Sequence, residues 1–452
     1  MSHAISTIPG PRGHFLLGSI PEIMKDRVQF LVDLQRDHGD IVQIRLGPFN
    51  AILLFHPDGI QHILQDNHIN YSKETRTYAN VSAIAGNGLI CSNGDFWLRQ
   101  RRLMQPAFHQ NQINLMSDMM CREANLMFER WEPYIRDGQT INIAHEMMRL
   151  TLSVATQALF GNKVHDPDRL LATNISFLMK DTAFRFEHPF YPPRWVPASR
   201  NRQFNAAMKN FNQVIYSMIA ERRSNPHDQA LDLLDILMNA REEENGEMMN
   251  DLQLRDEVAT LFLAGHETSA VALSWTLYLL SEHPEIETRL RGELQQVLAG
   301  REPTLADLPN LPYTRMVVEE SMRLYPPAWL TERKALADDE IGGYRIPAGV
   351  TLAVSPYVTH RHPQFWKDPD AFDPEHFAPQ NSEKRPRYAY FPFGGGPRQC
   401  IGKNMALLEI QLVLPMILQH CRLKLAPGWE VKTEPELSLR LKGGLWMQLK
   451  PA

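Results

Sequence analysis

A single cysteine near the carboxyl end of the chain lies in surroundings that suit a metal-binding thiolate. Cys400 follows the glycine-rich residues 394–396 and precedes Gly402 and a stretch of helical character. Glycine adopts backbone angles that are closed to other residues, so Gly402 lets the helix approach whatever Cys400 holds. Amide groups at the start of a helix stabilise a thiolate, which is the form of cysteine that binds metals. The sequence therefore predicts Cys400 as a metal ligand.

Two other kinds of site use similar residues, but their spacing is absent from this chain. A phosphate-binding loop requires Lys followed by Ser or Thr, whereas Lys403 is followed by Asn404. Structural zinc sites are typically built from Cys-x-x-Cys pairs, and the four cysteines form no such pair. We interpret Cys91 and Cys121 as buried thiols, and the scattered cysteines indicate a reducing compartment.

A second candidate is the segment 264–268, Ala-Gly-His-Glu-Thr, inside a helix predicted over about residues 252–281. A glycine weakens a helix, and a threonine hydroxyl can bond the carbonyl one turn back, so we expect a local widening here. His266 and Glu267 also begin a zincin motif, but its second histidine is missing because position 270 is alanine. A simple glycine kink in a core helix is the alternative interpretation.

Two further pairs have the spacing of neighbours on one face of a helix. Trp97 and Arg101 are one turn apart, and Glu320 and Arg323 are three residues apart. The planar guanidinium of arginine can bind a carboxylate through two parallel hydrogen bonds. Taken alone, the first pair also fits a solvated basic helix, and the second fits an ordinary ion pair.

The surrounding patterns predict the elements that position these residues. Apolar periodicity predicts a helix over about residues 21–38 and another over residues 403–421, directly after Cys400. Two short β-like runs, residues 41–46 and 51–55, flank a Gly-Pro turn and predict a hairpin. Short alternating pieces over residues 423–449 predict a small sheet.

In combination the motifs resemble those of cytochromes P450. The cysteine-ligand loop of that family has five fixed positions, which are filled here by Phe393, Gly396, Arg398, Cys400 and Gly402. Residues 264–268 are similar to the family's central-helix motif, and the two helical pairs match its Trp-x-x-x-Arg and Glu-x-x-Arg motifs. The resemblance covers nearly the entire chain, with the motifs in the family's order.

The resemblance implies a role for each motif. Cys400 would be the axial ligand of haem b, where a thiolate pushes electron density onto the iron and favours O–O cleavage. Glu267 and Thr268 would deliver protons, and Glu320 with Arg323 would hold the fold behind the haem. The other residues that the resemblance places at the haem are Trp97, Arg101, Ala264, Arg333, Phe393, Gly396, Arg398 and Gly402. Of these, Trp97 and the three arginines would bind the haem propionates.

One segment departs from the family pattern. The third partner of the Glu-x-x-Arg pair comes from a Pro-Glu-Arg-Phe segment in the family, whereas residues 374–377 read Pro-Glu-His-Phe. A neutral histidine donates only one hydrogen bond, so the role of His376 stays open. If His376 joins the cluster, we expect stability to depend on pH near neutrality.

Composition and charge argue against several classes of protein. The chain has 452 residues, of which 43% are hydrophobic, and its net charge of −5 argues against nucleic-acid binding. It contains no run of roughly eighteen apolar residues and no signal-peptide layout at its start. We therefore expect a cytoplasmic protein without a transmembrane anchor.

The resemblance implies a mainly α fold with a small β region, the triangular helical haem domain of cytochromes P450, as a single domain over residues 1–452. No fused reductase is expected, because the chain ends soon after Cys400. Electrons would come from a ferredoxin or flavodoxin with its reductase, steered electrostatically to basic residues. The candidates are Arg102, Lys384, Arg385, Arg387 and Lys403. Solvated surface charge is the alternative for any one of them.

Two irregular stretches are candidates for the walls of a substrate pocket. Residues 71–92 show no sustained period and are interpreted as an adaptable loop, with a plain connector as the alternative. Residues 181–200, which include Phe190, are rich in aromatic side chains and proline, and they resemble the family's lid between two helices. An apolar lid fits an apolar substrate.

The intact pair Glu267 and Thr268 favours monooxygenation, in which one atom of dioxygen enters a C–H or C=C bond and the other leaves as water. The motifs resemble the fatty-acid and eukaryotic-like branches of the family, so the expected substrate is a hydrophobic small molecule, fatty-acid-like or terpenoid. Two alternatives remain open. They are a peroxide-driven or hydroperoxide-rearranging enzyme of the same family and a non-enzymatic haem sensor.

Overall fold

The structure is a computed structural model that describes residues 7–161, 167–188, 191–226, 232–242 and 246–452. It is mainly helical with a small β region, which confirms the predicted fold class. The described helices are α1 (Ile20–Lys25), α2 (Arg27–His38), α3 (Pro57–Gln61), α4 (Arg76–Ala85), α5 (Gly94–Met104), α6 (Gln110–Asn114), α7 (Ser117–Arg136), α8 (Ile143–Phe160), α9 (Pro167–Glu187), α10 (Ser199–Ser224), α11 (Leu233–Asn239), α12 (Asp251–Gly265), α13 (Glu267–Glu282), α14 (Pro284–Leu298), α15 (Pro312–Leu324), α16 (Pro356–Thr359), α17 (Pro379–Ser382) and α18 (Lys403–His420). The strands are β1 (Ile41–Leu46), β2 (Phe49–Leu54), β3 (Tyr71–Ser72), β4 (Thr140–Asn142), β5 (Thr331–Ala335), β6 (Asp339–Ile341), β7 (Tyr344–Ile346), β8 (Thr351–Val354), β9 (Cys421–Leu425), β10 (Thr433–Pro435), β11 (Leu439–Leu441) and β12 (Trp446–Pro451).

The described residues form two compact units. The first contains the described residues up to Arg76, together with Arg315–Cys400 and Thr433–Arg440. It is built on a five-stranded sheet in the order β1-β2-β8-β5-β3, in which β2 and β8 are parallel and the other neighbours antiparallel. The predicted hairpin is confirmed as β1 and β2, with Ile41 opposite Leu54.

From Ala51 onward, both faces of strand β2 are buried. Ile52 and Leu54 belong to one apolar cluster, whereas Leu53 and Phe55 belong to another. Successive side chains of a strand point to opposite faces, so the sheet has a core on each side. Strand β5, which carries Arg333, belongs to this sheet, so the two cores hold it in place.

The second unit contains the described residues of Thr77–Thr314, with Ile401–Lys432 and Leu441–Ala452. Its helix α8 packs against α12 and α13, and α13 also packs against α18. A three-stranded sheet in the order β4-β12-β9 completes it. Helix α13, which begins with Glu267 and Thr268, is thus held between two other helices.

Two predicted helices are interrupted in the structure. The predicted helix over residues 252–281 consists of α12 and α13, which are separated at His266. The predicted helix over residues 21–38 is divided at Asp26, whose Oδ1 accepts hydrogen bonds from the amides of Val28 (3.1 Å) and Gln29 (2.9 Å). Asp26 therefore caps α2 and ends the preceding turn.

The prediction of a continuous loop over residues 71–92 was wrong in its middle, because Arg76–Ala85 forms α4. The buried side chains of Val81, Ile84 and Ala85 stabilise this helix by packing, which a ten-residue pattern shows only weakly. The predicted lid stretch does lie between two helices, since α9 ends at Glu187 and α10 begins at Ser199. Phe190 and its neighbour at position 189 lie outside the described residues.

Within the described ranges, none of the helices combines the length and the apolar character that crossing a membrane requires.

Candidate active site

The loop that carries Cys400 is closed by its own backbone. The amide of Cys400 donates a hydrogen bond to the carbonyl oxygen of Phe393 (3.0 Å), and Gly394 and Gly396 have φ angles of +67° and +62°. A Cβ atom on Gly396 would also overlap the carbonyl group of Leu64. Glycine is therefore required at position 396 both by its left-handed backbone and by this close approach.

Cys400 differs from the other cysteines in its exposure. Its side chain is exposed, whereas Cys91, Cys121 and Cys421 are buried, as predicted for the first two. Burial raises the pKa of Cys121 to about 11 and that of Cys421 to about 12, so both remain thiols at neutral pH. Among the four cysteines, Cys400 is thus the one placed to bind an external group.

The Glu-x-x-Arg pair is fully buried and makes a bidentate ion pair. Nε and Nη2 of Arg323 each donate to one carboxylate oxygen of Glu320, both at 2.7 Å, and neither side chain is exposed (0%). The other Arg323 donors bind the carbonyl oxygens of His360 (2.9 Å), Pro369 (2.6 Å) and Ala371 (2.8 Å). All five guanidinium protons are therefore used, which fixes the chain around residues 360–371.

His376 joins this cluster. Its Nδ1 lies 3.0 Å from Oε1 of Glu320, and its Nε2 lies 2.7 Å from the carbonyl oxygen of Lys367. Both partners are acceptors, so the doubly protonated imidazolium satisfies them while neutral histidine can donate to only one. Burial by itself raises the pKa of Glu320, but the hydrogen bonds from Arg323 and His376 outweigh it and lower that pKa overall. His376 is thus in contact with Glu320 and with the backbone at Lys367, so it is part of the buried cluster.

Arg385 belongs to the same region, although the sequence suggested a charge on the protein surface. Its guanidinium lies 3.7 Å from the centre of the Trp366 ring and donates to the carbonyl oxygen of His376 (2.5 Å). Burial lowers the pKa of Arg385 to about 10. Arg385 is therefore not a candidate docking residue. Lys384 and Arg387 are exposed and remain candidates.

Two predicted haem-binding arginines lie in the same unit as Cys400. Arg333 is on β5, is buried, and donates through Nη1 to the carbonyl oxygen of Glu332 (2.7 Å). Arg398 lies in the short 3-10 turn Gly396–Arg398, two residues before Cys400. The backbone at both arginines is therefore held in place, by strand β5 for Arg333 and by the 3-10 turn for Arg398.

The other predicted residues lie in the second unit. Thr268 donates from Oγ1 to the carbonyl oxygen of Ala264 (2.8 Å), one turn back, and Thr151 donates to the carbonyl oxygen of His266 (2.8 Å). The carbonyl of His266 is thus bound by a neighbouring helix at the point where α12 ends. Glu267 is buried, whereas Ala264 and Thr268 are partly exposed. The central helix is interrupted at His266, and the local widening predicted for this segment stays a prediction.

Helix α5 carries the predicted tryptophan–arginine pair. Trp97 is buried and Arg101 is half-buried, one turn further along the same helix. Gly402, the last of the predicted loop residues, is the N-cap residue of α18. Both observations agree with the predicted placement of these residues on helices.

Sequence reasoning missed Glu409, a buried acid in the middle of α18. Burial raises the pKa of Glu409 to about 8, and a hydrogen bond with Ser269 on α13 opposes this only in part. Its Oε1 has no hydrogen-bond partner within the described part of the chain. The signal was a single acidic residue within residues 405–418, a run in which Gln411 is the one other polar side chain.

Glu409→Gln is expected to stabilise the protein at alkaline pH. In the unfolded chain the carboxyl group loses its proton near its ordinary pKa of 4.5, while the folded protein keeps that proton up to about 8. Stability therefore falls as pH rises through this window, by up to a few kcal/mol. Melting temperatures measured at about pH 5 and about pH 8.5 should show an advantage of Glu409→Gln that grows with pH.

The control is Glu285→Gln, which removes a carboxylate from an exposed side chain of the same unit. It should change the melting temperature little at either pH. A Glu409→Gln advantage of the same size at both pH values would contradict the assignment.

Comparison with known proteins gives a consistent result. A family model described as Cytochrome P450 matches residues 8–450. Cyclooctatin synthase of Streptomyces melanosporofaciens is 36% identical over 430 residues, covering 95% of this chain and 92% of that protein. Pentalenene oxygenase of Streptomyces avermitilis is 33% identical, with coverages of 94% and 91%.

Similarity extends to a human enzyme and to a solved structure. The ultra-long-chain fatty acid omega-hydroxylase of Homo sapiens is 29% identical and covers 98% of this chain and 87% of its own length. The crystal structure of the cytochrome P450DA heme domain superposes with a TM-score of 0.89 at 26% identity, covering 100% of this chain and 99% of that one.

Proposed function

Since the chain belongs to the cytochrome P450 family and is a haem-containing monooxygenase, we propose that Cys400 is the axial ligand of haem b. The observation that carries this proposal is the exposed thiol on a loop closed by the hydrogen bond between Cys400 and Phe393. When bound, the haem supplies the activation of dioxygen, and a thiolate ligand favours O–O cleavage. Gly396 and Gly402 keep the loop and the start of α18 free of side chains.

We propose that four side chains bind the two haem propionates. Arg333 and Arg398 are held on β5 and on the 3-10 turn, and Trp97 and Arg101 on α5. A guanidinium group binds a carboxylate through two parallel hydrogen bonds, and the indole N–H of tryptophan adds a donor. Glu320 and Arg323 act indirectly, because their buried pair fixes the fold that supports the ligand loop.

Glu267 and Thr268 are proposed to move the protons that the reaction consumes. The hydroxyl of Thr268 is held at the helix interruption by its bond to the carbonyl oxygen of Ala264. With its own hydrogen directed at Ala264, Oγ1 would accept hydrogen bonds from the groups that carry the incoming protons, and the carboxyl group of Glu267 would supply those protons. The net reaction combines substrate, dioxygen, two electrons and two protons to give hydroxylated or epoxidised product and water.

The proposed substrate is a hydrophobic small molecule, with terpenoid skeletons favoured over fatty acids. Bacterial relatives over nearly the whole chain include cyclooctat-9-en-7-ol 5-monooxygenase and pentalenene oxygenase, at 34% and 33% identity. The human omega-hydroxylase is 29% identical. Fatty acids therefore remain the second class to be screened.

The test is a difference spectrum of the dithionite-reduced protein with and without carbon monoxide, followed by turnover. A thiolate-ligated haem should give the strongly red-shifted Soret band of its carbonyl complex. With a surrogate ferredoxin and reductase, a terpenoid or fatty-acid panel should yield product that contains one atom from labelled dioxygen. A band typical of histidine ligation, or turnover with peroxide alone and none with reductase, would overturn the proposal.

We also propose that residues 1–452 form a single cytoplasmic haem domain that receives electrons from a ferredoxin or flavodoxin. The exposed charges of Lys384 and Arg387 support this kind of partner, with Arg102 and Lys403 as further candidates. Reversal of both charges in Lys384→Glu/Arg387→Glu should slow reduction by an acidic ferredoxin several-fold at low salt. The difference should vanish at high ionic strength, and reduction rates that do not respond to salt would count against this partner.

A further inference from the structure

Residues 86–89, the loop that joins α4 to the segment before α5, are bound to helix α12 by their backbone amides. The amide of Asn87 donates to Oδ2 of Asp256 (2.8 Å), and the amide of Leu89 donates to Oε2 of Glu257 (2.9 Å). Two consecutive acidic side chains of α12 thus hold two alternate amides of one short loop. Amide groups that would otherwise need water are satisfied by the helix.

The loop also lies unusually close to α12. Gly86 has a φ of +57°, and a Cβ atom there would overlap the carboxylate of Asp256. A Cβ atom on Gly88 would overlap the hydroxyl of Thr260 and lie 2.6 Å from the carbonyl oxygen of Asp256. Both positions therefore require glycine, and the backbone of the loop rests directly on the helix.

Glu257 binds a second element besides the loop. Its Oε1 accepts a hydrogen bond from Nε2 of Gln100 on α5 (3.0 Å), so each carboxylate oxygen has one donor. Neither Glu257 nor Gln100 is exposed (0%). One buried carboxylate therefore ties the loop and α5 to the same point of α12.

Asp256 and Glu257 differ in the charge of the groups that donate hydrogen bonds to them. Asp256 accepts from Nη1 of its neighbour Arg255 (2.8 Å), and Nε of Arg255 donates to Asn212 on α10 (2.8 Å). No salt bridge to Glu257 is found in the described ranges, and burial raises its pKa to about 7. Burial of an acid that accepts hydrogen bonds only from neutral donors lowers the stability of the fold. The presence of Glu257 therefore indicates that it holds other parts of the structure in position.

The helix connects this attachment to the proposed catalytic residues. Glu257 lies seven residues before Ala264 and eleven before Thr268. The spacing of seven places Glu257 and Ala264 on one face of α12, with the attachment about 10 Å from Ala264 along the axis at 1.5 Å per residue. The loop therefore lies on the face of α12 that the partly exposed Ala264 occupies, and Thr268 follows just after the interruption at His266.

We propose that Asp256 and Glu257 are positioning residues that fix loop 86–89 and helix α5 on the central helix, and thereby set the size of the ligand that fits above Ala264 and Thr268. The proposal rests on the proposed function. It assigns substrate selection partly to two acids that do not themselves touch the substrate.

The test uses the purified holoprotein and two variants of Glu257. Glu257→Leu removes both acceptor oxygens, so the amide of Leu89 and the side chain of Gln100 each lose the acceptor of their hydrogen bond. Glu257→Gln retains both bonds once the side-chain amide of Gln100 rotates by half a turn, because its oxygen accepts from Leu89 and its NH₂ group donates to Gln100. The rotation gives up only the long bond from Nη1 of Arg99 to Oε1 of Gln100 (3.5 Å). Deuterium exchange of peptides that cover residues 86–92 should be faster in Glu257→Leu than in wild type, and unchanged in Glu257→Gln.

The second readout compares imidazole with 4-phenylimidazole in spectral titrations. Imidazole lacks the phenyl ring that distinguishes the two ligands, so its Kd should stay within about twofold in every variant. The Kd of 4-phenylimidazole should rise roughly tenfold in Glu257→Leu and remain unchanged in Glu257→Gln. If Glu257→Leu does not fold, Gly88→Ala, which displaces the loop without a change of charge, serves as the second variant and should act in the same direction.

Two results would overturn the proposal. One is unchanged exchange of residues 86–92 in Glu257→Leu or Gly88→Ala. The other is faster exchange without a change in the ratio of the two Kd values. Failure of the proposed function is distinguishable, because a protein without haem gives no spectral response to either imidazole, whereas the exchange result does not depend on the haem.

Discussion

Replacement of Cys400 by serine is expected to abolish monooxygenation and to remove the red-shifted carbon monoxide band. A serine hydroxyl stays protonated at neutral pH and is a hard, weakly donating ligand, so it cannot supply the electron density that a thiolate provides. The loop itself should persist, because the hydrogen bond to Phe393 comes from the backbone amide of residue 400. Haem content, the difference spectrum and product formation are measured on the same preparation.

A matched cysteine-to-serine change separates ligation from general effects. Cys91 is buried, and Cys91→Ser should leave the position of the band unchanged even where it lowers stability. A normal band in Cys400→Ser that still contains haem would exclude Cys400 as the ligand.

Glu320→Gln should destabilise the folded protein by about 3–5 kcal/mol, because it leaves the buried guanidinium of Arg323 without a counter-ion. The shape of the side chain is kept, so the loss is electrostatic. Unfolding in urea and the fraction of protein that retains haem are the measurements. We expect a large drop in the unfolding midpoint and in the haem-retaining fraction. The carbonyl groups bound by Arg323 belong to residues 360–371, and within that segment Nε2 of His360 accepts from the amide of Phe391, next to the ligand loop.

The control is the preceding residue of the same helix. Glu319 forms a 3.7 Å pair with Arg315, and its side chain is 26% exposed against 0% for Glu320. Glu319→Gln should therefore cost no more than about 1 kcal/mol. Equal losses in the two variants would show that burial of the pair does not matter.

The sequence by itself determined the identity of the motifs, because those depend on short spacings. A helix brings residues three or four apart onto one face, so Trp97 with Arg101 and Glu320 with Arg323 were predictable as pairs. A glycine-rich turn before a helix is equally local, and it singled out Cys400. The mainly α fold followed from the family that these motifs resemble and is confirmed by the structure.

The tertiary structure decided which polar side chains are buried and what they bind. Leu89 and Glu257 are 168 residues apart, and the partners of His376 lie at positions 320 and 367. No local pattern reports such partners, because they depend on which segments the fold packs together. For the same reason Arg385 looked like a surface charge and Glu409 went unnoticed. Burial then decided their chemistry, since it penalises an ionised group according to the donors and charges around it.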